Sequence, residues 1–537
     1  MSATKTILYL TGCMMLVNTG LFHYASMTQY FVFCVAGLVA LTMGLYRVIR
    51  IKGWHHSTML EMLFFGWIIF IILHGILGTN EQYSLHYLLA LWMFFQGLVW
   101  MMRGESSTTA INNLFIALGG YEAIVCILQQ TRIITSHSTL FLVTGSWESP
   151  NMTAMFMALC IPYSIERMLS AHKLYIKGIG TTTLLIQIAA LLFINCRTAY
   201  IAFIISTVIL CGHHFQWKQL LQKWPKKRIV YTTLLLIILA IGGTFGLYRM
   251  KAASANGRTF IWKTTFSLIK QKPFIGHGYG LFEKEYNLRQ ASYFQTDIGT
   301  EEEKQNARHI FMCYNDYLEQ AVEGGILSAV FYLSIILLTI HRSLQQKDYV
   351  NTVIMVNLFW MSSVNFVLQS PPLMFVVLII MAQTSAKEKE KQKYSTVIRF
   401  FSILFAISLI LMEPNSIFNR YQVQRTVKNA LILSKTNSTA ALKLLESNKH
   451  HAGTSECFWR IYGIALMHQK RNIEAKFALK KALQYTSSPL VINNLIICHQ
   501  RLGEQAEAKK LLKLWDNMIP TRKREINGKK LKEKKWS

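Results

Sequence analysis

Two arginines stand in parts of the chain that are otherwise apolar or glycine-rich. Arg197 lies between two long apolar runs that leave a turn of only two or three residues, and Arg258 directly follows Gly257. A guanidinium is permanently charged, and its forked N–H groups suit bidentate contact with phosphate. An arginine at a membrane boundary is costly unless it reaches the interface or meets an anion. The pair therefore predicts an anion site, and an interfacial anchor is the alternative for Arg197 taken alone.

The apolar runs are the elements that must position these arginines. The chain has 537 residues, of which 52% are hydrophobic and 15% charged, against about 25% charged in a soluble domain. Runs of this length fit a bilayer core of about 30 Å. The sequence predicts an all-α, polytopic membrane protein with about 12–13 transmembrane helices, at 7–25, 30–46, 60–78, 84–102, 108–129, 151–168, 178–195, 198–213, 230–248, 326–340, 351–369, 371–386 and 398–413.

The basic residues orient these helices. The net charge is +29, and nucleic acid binding is not needed to explain it, because Lys and Arg are retained beside membrane helices on the cytoplasmic side and meet anionic lipid. The helix count puts the basic connections at Arg47–Lys52, Glu166–Lys177, Lys218–Arg228 and Lys387–Arg399 on one side. The other, outer side then receives Arg197, the residues around Glu148, the 249–325 loop and the C-terminus.

The 249–325 loop is polar and lies between two apolar runs, which predicts a functional segment. Residues 259–271 are predicted to form a helix on the membrane surface, and the Gly276-x-Gly278-x-Gly280 run a flexible turn. The residues of that helix expected to face lipid are Phe260, Ile261, Phe266 and Ile269.

The composition changes after residue 413. Residues 414–520 are predicted to form tetratricopeptide-like helical repeats, since small residues such as Ala475 and Ala508 recur 33 positions apart and let paired helices approach closely. Residues 521–537 form a basic tail. The nine cysteines lack paired spacing, so neither a disulfide framework nor a metal site is predicted.

Five short segments occur in one order and on one predicted face of the membrane. They are Gly145 with Glu148-Ser149-Pro150-Asn151, Cys196-Arg197-Thr198-Ala199, Gly257-Arg258 with Trp262, Pro273 with Gly276 and Gly278, and Asn315-Asp316-Tyr317-Leu318 with Glu323 and Gly325. Over residues 140–330 the chain thereby resembles the O-antigen ligase and polymerase superfamily, which includes bacterial protein O-oligosaccharyltransferases. The remaining helices resemble that superfamily in topology.

The resemblance implies a GT-C-like inner-membrane glycosyltransferase without a cofactor or an essential metal. It would take a glycan from undecaprenyl diphosphate and pass it to an acceptor hydroxyl on the periplasmic face. Arg197 and Arg258 would hold the diphosphate, because glycosyl transfer builds negative charge on that leaving group and fixed cations stabilise it. The residues that would shape the loop and the acceptor side are Glu148, Asn151, Trp262, Asn315 and Glu323.

The catalytic base stays open. Many members carry a histidine immediately before the Asn of the last motif, as a base or acceptor-positioning group, and this chain has Tyr314 there. His309, five residues earlier, would replace it if the loop folds back; otherwise it is an ordinary loop histidine. Tyr314 and Asp316 are the other catalytic candidates in this segment, and Glu148 is a further candidate base.

Lipid A core, a protein or a growing glycan could be the acceptor. A growing glycan would make the protein an O-antigen polymerase. Helical repeats present concave surfaces to proteins, which favours a ligase or an oligosaccharyltransferase and adds a possible protein partner. A polysaccharide transporter or flippase would instead place ionisable residues and broken helices near the bilayer midplane.

Overall fold

A computed structural model describes residues 2–24, 26–51, 57–77, 80–105, 107–225, 227–228, 252–296, 299–388 and 395–520. Within these ranges the regular secondary structure is helical, which confirms the all-α prediction. The membrane part begins with α1 (Ala3–Met15), α2 (Ser26–Ile51), α3 (Met59–Leu77), α4 (Gln82–Met102), α5 (Thr108–Gln130), α6 (Pro150–Ser170), α7 (Leu174–Ile194), α8 (Arg197–His214) and α9 (Trp217–Gln222).

The loop region and the rest of the chain follow in order. The loop contains α10 (Ala252–Gln271), α11 (Phe282–Gln295), α12 (Glu301–Asn306) and α13 (Asp316–Glu323). The membrane part continues with α14 (Gly325–Gln345), α15 (Tyr349–Val364), α16 (Pro371–Ala386) and α17 (Ser395–Leu433). The C-terminal helices are α18 (Ser438–Ser447), α19 (Glu456–His468), α20 (Asn472–Leu483), α21 (Pro489–Arg501) and α22 (Gln505–Met518).

Seven of the described helices, α2, α3, α4, α5, α7, α14 and α17, are long and apolar enough to cross a membrane. Helices α15 and α16 are shorter and also apolar. The chain is therefore a polytopic helical membrane protein. The predicted span at 230–248 and the basic tail at 521–537 lie outside the described residues.

The first predicted span, 7–25, is wrong at its end. Helix α1 ends at Met15, and Gly20 in the following segment has a positive φ of 61°. The short helix still connects the two ends of the bundle. At one end the Thr4 hydroxyl donates to Glu105 (2.9 Å), and at the other the Met15 carbonyl accepts from Trp147 Nε1 (3.0 Å).

Helix α4 forms the centre of the membrane core. Its side chains are buried from Tyr87 to Met102, and it packs along α2. A Cβ added to Gly97 would overlap the backbone of Ala40. The two helices therefore approach closely because glycine leaves room, which is a common way to pack membrane helices.

Ion pairs hold one end of the bundle together. Arg47 pairs with Glu105 (3.0 Å) and Lys387 with Asp348 (2.8 Å), while Arg103 pairs with Glu61. Two of the four basic connections expected to share one side, Arg47–Lys52 and Lys387–Arg399, contribute residues to these pairs. The opposite ends of α2 and α4 begin near Ser26 and Glu81, which line the cavities described below. That the ion-paired end is cytoplasmic stays a prediction.

The loop folds as a helical unit with its own core. Ile261, Leu268, Phe282, Tyr286 and Val322 pack together, and Ile269 is partly buried against them. The prediction that Phe260, Ile261 and Ile269 face lipid is therefore wrong, whereas Phe266 is 52% exposed as expected. The reason is that α11 and the residues before α13 cover one side of α10, so its apolar face has a protein partner.

The C-terminal helices dock onto this loop. Helix α17 continues through residue 414, and α18 to α22 follow as helices that pack in sequence. A Cβ on Gly463 would lie 2.7 Å from Leu479 Cγ, so a small residue is needed where α19 meets α20. Gln290 Nε2 of α11 donates to the Met518 carbonyl of α22 (2.7 Å). The C-terminal helices thus lie at the cavity end of the bundle; their assignment to the tetratricopeptide repeats stays a prediction.

Candidate functional site

Helix α5 builds the first wall of the site by holding the loop before α6. Gln129 Oε1 accepts the backbone N–H groups of Thr144 and Gly145 (both 2.8 Å), and Glu122 Oε2 accepts that of Ser146 (3.0 Å). Gly145 has a φ of 68°, and a Cβ there would overlap the Glu122 carboxyl group. The turn therefore requires glycine.

Helix α6 begins directly after this turn. The Ser149 hydroxyl accepts from the Met152 N–H, and Pro150 occupies the first helical position, which is where proline and a serine cap are favoured. The turn and the helix start together place Glu148 and Asn151 in the wall of one cavity.

This first cavity has a volume of about 470 Å³, within the range of ligand sites. It joins residues that are far apart in the sequence. Its polar lining includes Ser26, Gln29, Glu148, Asn151, Tyr314, Gln369 and Ser370. Three of the predicted site residues, Glu148, Asn151 and Tyr314, therefore meet in it, and Glu148 is the one carboxylate among its described lining residues.

Arg258 lies beside the cavity rather than in its lining. Its guanidinium carbon is 5.1 Å from the centre of the Tyr314 ring, and its Nη1 donates to the Val364 carbonyl (2.6 Å). Burial lowers the pKa of Arg258, the Tyr314 hydroxyl opposes that shift, and the positive charge of Arg197 lowers it further. Arg197 is the first residue of α8, and the carbonyl of the next residue, Thr198, accepts from Trp360 Nε1 of α15 (3.3 Å). Both arginines therefore lie near the C-terminal half of α15, and their joint hold on one diphosphate stays a prediction.

The end of α15 orders the predicted acceptor motif. The carbonyl groups of its last turn have no partner within the helix, and two of them, those of Ser363 and Val364, accept from the side chains of Asn315 and Arg258. Tyr317 Oη donates to the Phe359 carbonyl (3.2 Å) and Asn315 Nδ2 to that of Ser363 (2.8 Å), next to the Arg258 contact. Asn315 also caps α13 by accepting the Leu318 N–H (3.0 Å). Tyr314, just before, adopts a positive φ of 56°, which turns the chain into α13.

Asp316 is buried and acts as an anchor in this arrangement. Its carboxyl group accepts the N–H groups of Val367 (3.0 Å) and Leu368 (3.1 Å) and the hydroxyl of Tyr332 (3.3 Å). Burial raises its pKa to about 7, although these hydrogen bonds oppose the shift. Asp316 lines neither this cavity nor the second one described below, so its geometry fits a role in holding the segment before α16.

We expect Asp316→Ala to destabilise the protein, and we expect no direct role of Asp316 in the chemical step. The change would leave the Val367 and Leu368 N–H groups unpaired in a buried place, at a cost of about 1–3 kcal/mol. Thermal unfolding in detergent measures this loss, and Asp316→Asn, which keeps one acceptor oxygen, should recover part of it. An alanine variant as stable as the wild type but inactive would instead indicate that Asp316 acts in catalysis.

Glu319 and Glu323 hold the two ends of the same region. Glu319 Oε2 accepts the Cys313 N–H (2.8 Å), and its other oxygen accepts from Gln369. Glu323 Oε1 accepts the Gly280 N–H (2.8 Å) at the end of the glycine turn. Burial raises the pKa of Glu319 well above its usual value and that of Glu323 to about 8. Glu323, which was predicted to shape the loop, therefore accepts a hydrogen bond directly from the glycine turn.

The predicted glycine turn is present, while its flexibility stays a prediction. Gly276, Gly278 and Gly280 all have positive φ values, of 72°, 117° and 78°. A Cβ on Gly276 would overlap the Glu323 carbonyl oxygen. Side chains are excluded here because the turn packs directly on the end of α13.

Trp262 and His309 lie away from the first cavity. Trp262 Nε1 donates to the Cys313 carbonyl (3.1 Å), inside the loop core. His309 Nε2 lies 2.6 Å from Glu283 Oε1, and Glu283 also accepts from the Ser487 hydroxyl of the C-terminal helices (2.8 Å). The loop does not fold back to bring His309 beside Tyr314, so its position fits the alternative of a structural loop histidine.

Sequence reasoning missed the residues that α15 and α16 contribute. Gln369 and Ser370 line the cavity, and Ser370 is 3% exposed with no hydrogen-bond partner for its hydroxyl among the described residues. The signal was present in Ser370-Pro371-Pro372, which is typical of a helix start. Gln129 was also missed, because a single glutamine in an apolar run does not reveal which loop it holds.

Comparison with known proteins gives one match. Residues 182–333 match a family model described as O-antigen ligase, and no curated protein matches the chain. The matched range contains Arg197, Arg258 and the Asn315–Glu323 segment, while Glu148 and Asn151 lie before it. The match supports the ligase and polymerase superfamily, and with it a glycosyltransferase-like activity in a multi-pass membrane protein.

Proposed function

We propose that this protein transfers a glycan from undecaprenyl diphosphate to an acceptor hydroxyl at the periplasmic face of the bacterial inner membrane. The observation that carries the proposal is the first cavity, where Glu148, Asn151 and Tyr314 meet beside Arg258. The family match over residues 182–333 supports the reaction class. The position of the cavity at one end of the bundle favours transfer at a membrane surface over transport through the bilayer midplane.

The diphosphate would lie between Tyr314 and the two arginines. Arg258 is held in place by the Val364 carbonyl and the Tyr314 ring, so its other nitrogens are oriented before a ligand binds. The starts of α6 and α16 line the same cavity, and helix N-termini favour negative charge. These groups would stabilise the charge that grows on the leaving diphosphate.

Glu148 would serve as the base. It is exposed and lines the cavity, so an acceptor hydroxyl can approach its carboxylate. In the transfer, the bond from the sugar C1 to the diphosphate oxygen breaks and its electron pair leaves with the diphosphate. A new bond forms from C1 to the acceptor oxygen, whose proton passes to Glu148.

Reconstitution with a lipid donor tests the proposal. The purified protein in nanodiscs, given a glycan on undecaprenyl diphosphate and a lipid A core acceptor, should release undecaprenyl diphosphate and enlarge the acceptor, with undiminished rate in EDTA. A sugar nucleotide should not replace the lipid donor. Transfer that requires the nucleotide, or transport of the intact donor without bond cleavage, would contradict the proposed reaction.

A further inference from the structure

A second cavity adjoins the first. Its volume is about 400 Å³, and it shares Ser26, Gln369 and Pro371 with the first cavity. Several parts of the chain line it: the starts of α2 and α4, the glycine turn with α11, α13, the segment before α16, and the C-terminal part of the chain near Gln424, Glu456 and Tyr485. A ligand in the second cavity would therefore have one end against the wall of the first.

Two buried polar atoms in its wall have no partner among the described residues. They are the hydroxyl of Tyr87, a residue 8% exposed, and Oε1 of Gln424, a residue 3% exposed. A buried polar atom without a partner costs about 1–3 kcal/mol, and such an atom needs an explanation in each case. A ligand with hydroxyl groups in the cavity would provide the missing hydrogen bonds.

The carboxyl groups of the cavity are suited to a neutral ligand rather than to a cation. Burial raises the pKa of Glu81 and of Glu456, and that of Glu323 to about 8. A protonated carboxyl group both donates and accepts a hydrogen bond. Glu456 is in addition paired with Arg460 (2.9 Å), and Glu283 lies 2.6 Å from His309 Nε2 and accepts from the Ser487 hydroxyl (2.8 Å), so both carboxyl groups already have partners within the protein.

Aromatic rings complete the lining. Tyr24, Phe311 and Tyr485 border the cavity together with the polar groups. Flat apolar faces beside amide and carboxyl groups match a sugar ring, which has apolar C–H faces and a rim of hydroxyls. A second diphosphate is disfavoured, because the described residues that line this cavity include several carboxyl groups and no arginine.

We propose, resting on the function proposed above, that the second cavity binds a saccharide acceptor and directs its reactive hydroxyl past Gln369 toward Glu148. The acceptor is then a sugar chain, such as the core sugars of a lipopolysaccharide or a growing glycan, and the C-terminal helices form part of its site. A peptide acceptor is the competing class.

Two substitutions remove the unpartnered atoms and keep the side-chain shapes. Tyr87→Phe should leave thermal stability unchanged or raised, because an unpaired buried atom is lost. Gln424→Leu also removes the amide group that hydrogen-bonds to Tyr83, so a small loss of thermal stability is expected for this variant. Each should weaken binding of a fluorescent core oligosaccharide about three- to tenfold, as expected for one neutral hydrogen bond. The matched control is Tyr163→Phe, which removes another buried hydroxyl without a described partner outside both cavities, and it should bind normally.

Binding is measured by fluorescence anisotropy on the full-length protein in nanodiscs without donor, with the core oligosaccharide, the glycan cleaved from the lipid donor and a serine-containing peptide as probes. The proposal would be overturned if the two variants bound both saccharides with unchanged affinity. It would also be overturned if Tyr163→Phe weakened saccharide binding equally, or if the two variants weakened binding of the peptide alone. Glycan transfer by the wild type is measured separately in the reconstitution described above. Its absence would refute the proposed reaction, and the binding result would still decide the saccharide site.

Discussion

Replacing Arg258 by alanine is expected to lower glycan transfer about a hundred- to a thousandfold, the usual effect of removing one group that stabilises charge in a transition state. Arg258 is held by the Val364 carbonyl and the Tyr314 ring and stands beside the first cavity. The negative charge that develops on the departing diphosphate would lose its preorganised partner. Release of undecaprenyl diphosphate by the reconstituted variant, at saturating donor, measures the effect.

Two variants make this test specific. Arg258→Lys should recover only part of the rate, since an ammonium group lacks the planar fork that binds phosphate at two points. Arg289→Ala is the matched control, because Arg289 belongs to the same loop and donates to the Ser267 hydroxyl (2.9 Å), away from the cavity lining. Full transfer by Arg258→Ala in a properly inserted protein would remove the diphosphate role.

Arg197 should behave as a partner of Arg258. Its positive charge is one cause of the lowered pKa of Arg258, after burial, and a bound diphosphate would relieve the repulsion between the two cations. If both hold one diphosphate, the losses in the Arg197→Ala and Arg258→Ala variants should not add in the double variant. Such non-additive losses would show that the two arginines act on the same ligand.

The fold was predictable where hydrophobic length carries the signal. The apolar runs that became α2 to α8 and α14 to α16 could be found because a bilayer requires long apolar helices. The end of α1 could not be predicted from hydropathy, because Val17 and Leu21 are apolar although the chain there is not helical. Hydropathy also gave the wrong face of α10, because α11 and the neighbouring residues of the folded loop cover Phe260 and Ile261.

The site was predictable by residue type but not by position. Arg197, Arg258 and the glycine turn follow from their chemistry and spacing, and their motifs lie in or near the matched family range. The meeting of Glu148 with Tyr314 depends on how Gln129 and the end of α15 hold two distant loops. Glu148 and Tyr314 lie well over a hundred positions apart in the sequence, and a local pattern does not encode that their loops share a cavity.

The C-terminal helices take part in the architecture of the site. Ser487 bonds to Glu283, and Gln290 bonds to Met518, so removing α18 to α22 would expose the buried side of α11. The Thr454 hydroxyl accepts the Gln82 N–H at the start of α4 (3.0 Å). These contacts connect the C-terminal helices to both the loop and the membrane part, in keeping with a role in acceptor choice.

Glu148→Gln is expected to lower transfer about a hundred- to ten-thousandfold, the range for loss of a general base. The amide keeps the shape of the side chain but cannot take the acceptor proton, so kcat should fall while the KM values for donor and acceptor change little. The cavity offers no other carboxylate among its described lining residues. Initial rates of acceptor glycosylation over a range of acceptor concentrations separate the two constants.

A matched change at the other end of α6 controls for effects on folding. Glu166 accepts from the Ser170 hydroxyl (2.7 Å) and lies outside both cavities, so Glu166→Gln should transfer normally. An acceptor with a stronger nucleophile that needs no base should restore part of the transfer rate of Glu148→Gln. It should not restore the rate of Arg258→Ala, because the arginine acts on the leaving group. Equal rescue of both variants would contradict separate roles. A normal kcat in Glu148→Gln would move the base to another residue of the cavity, and Tyr314 is the other titratable group among its described lining residues.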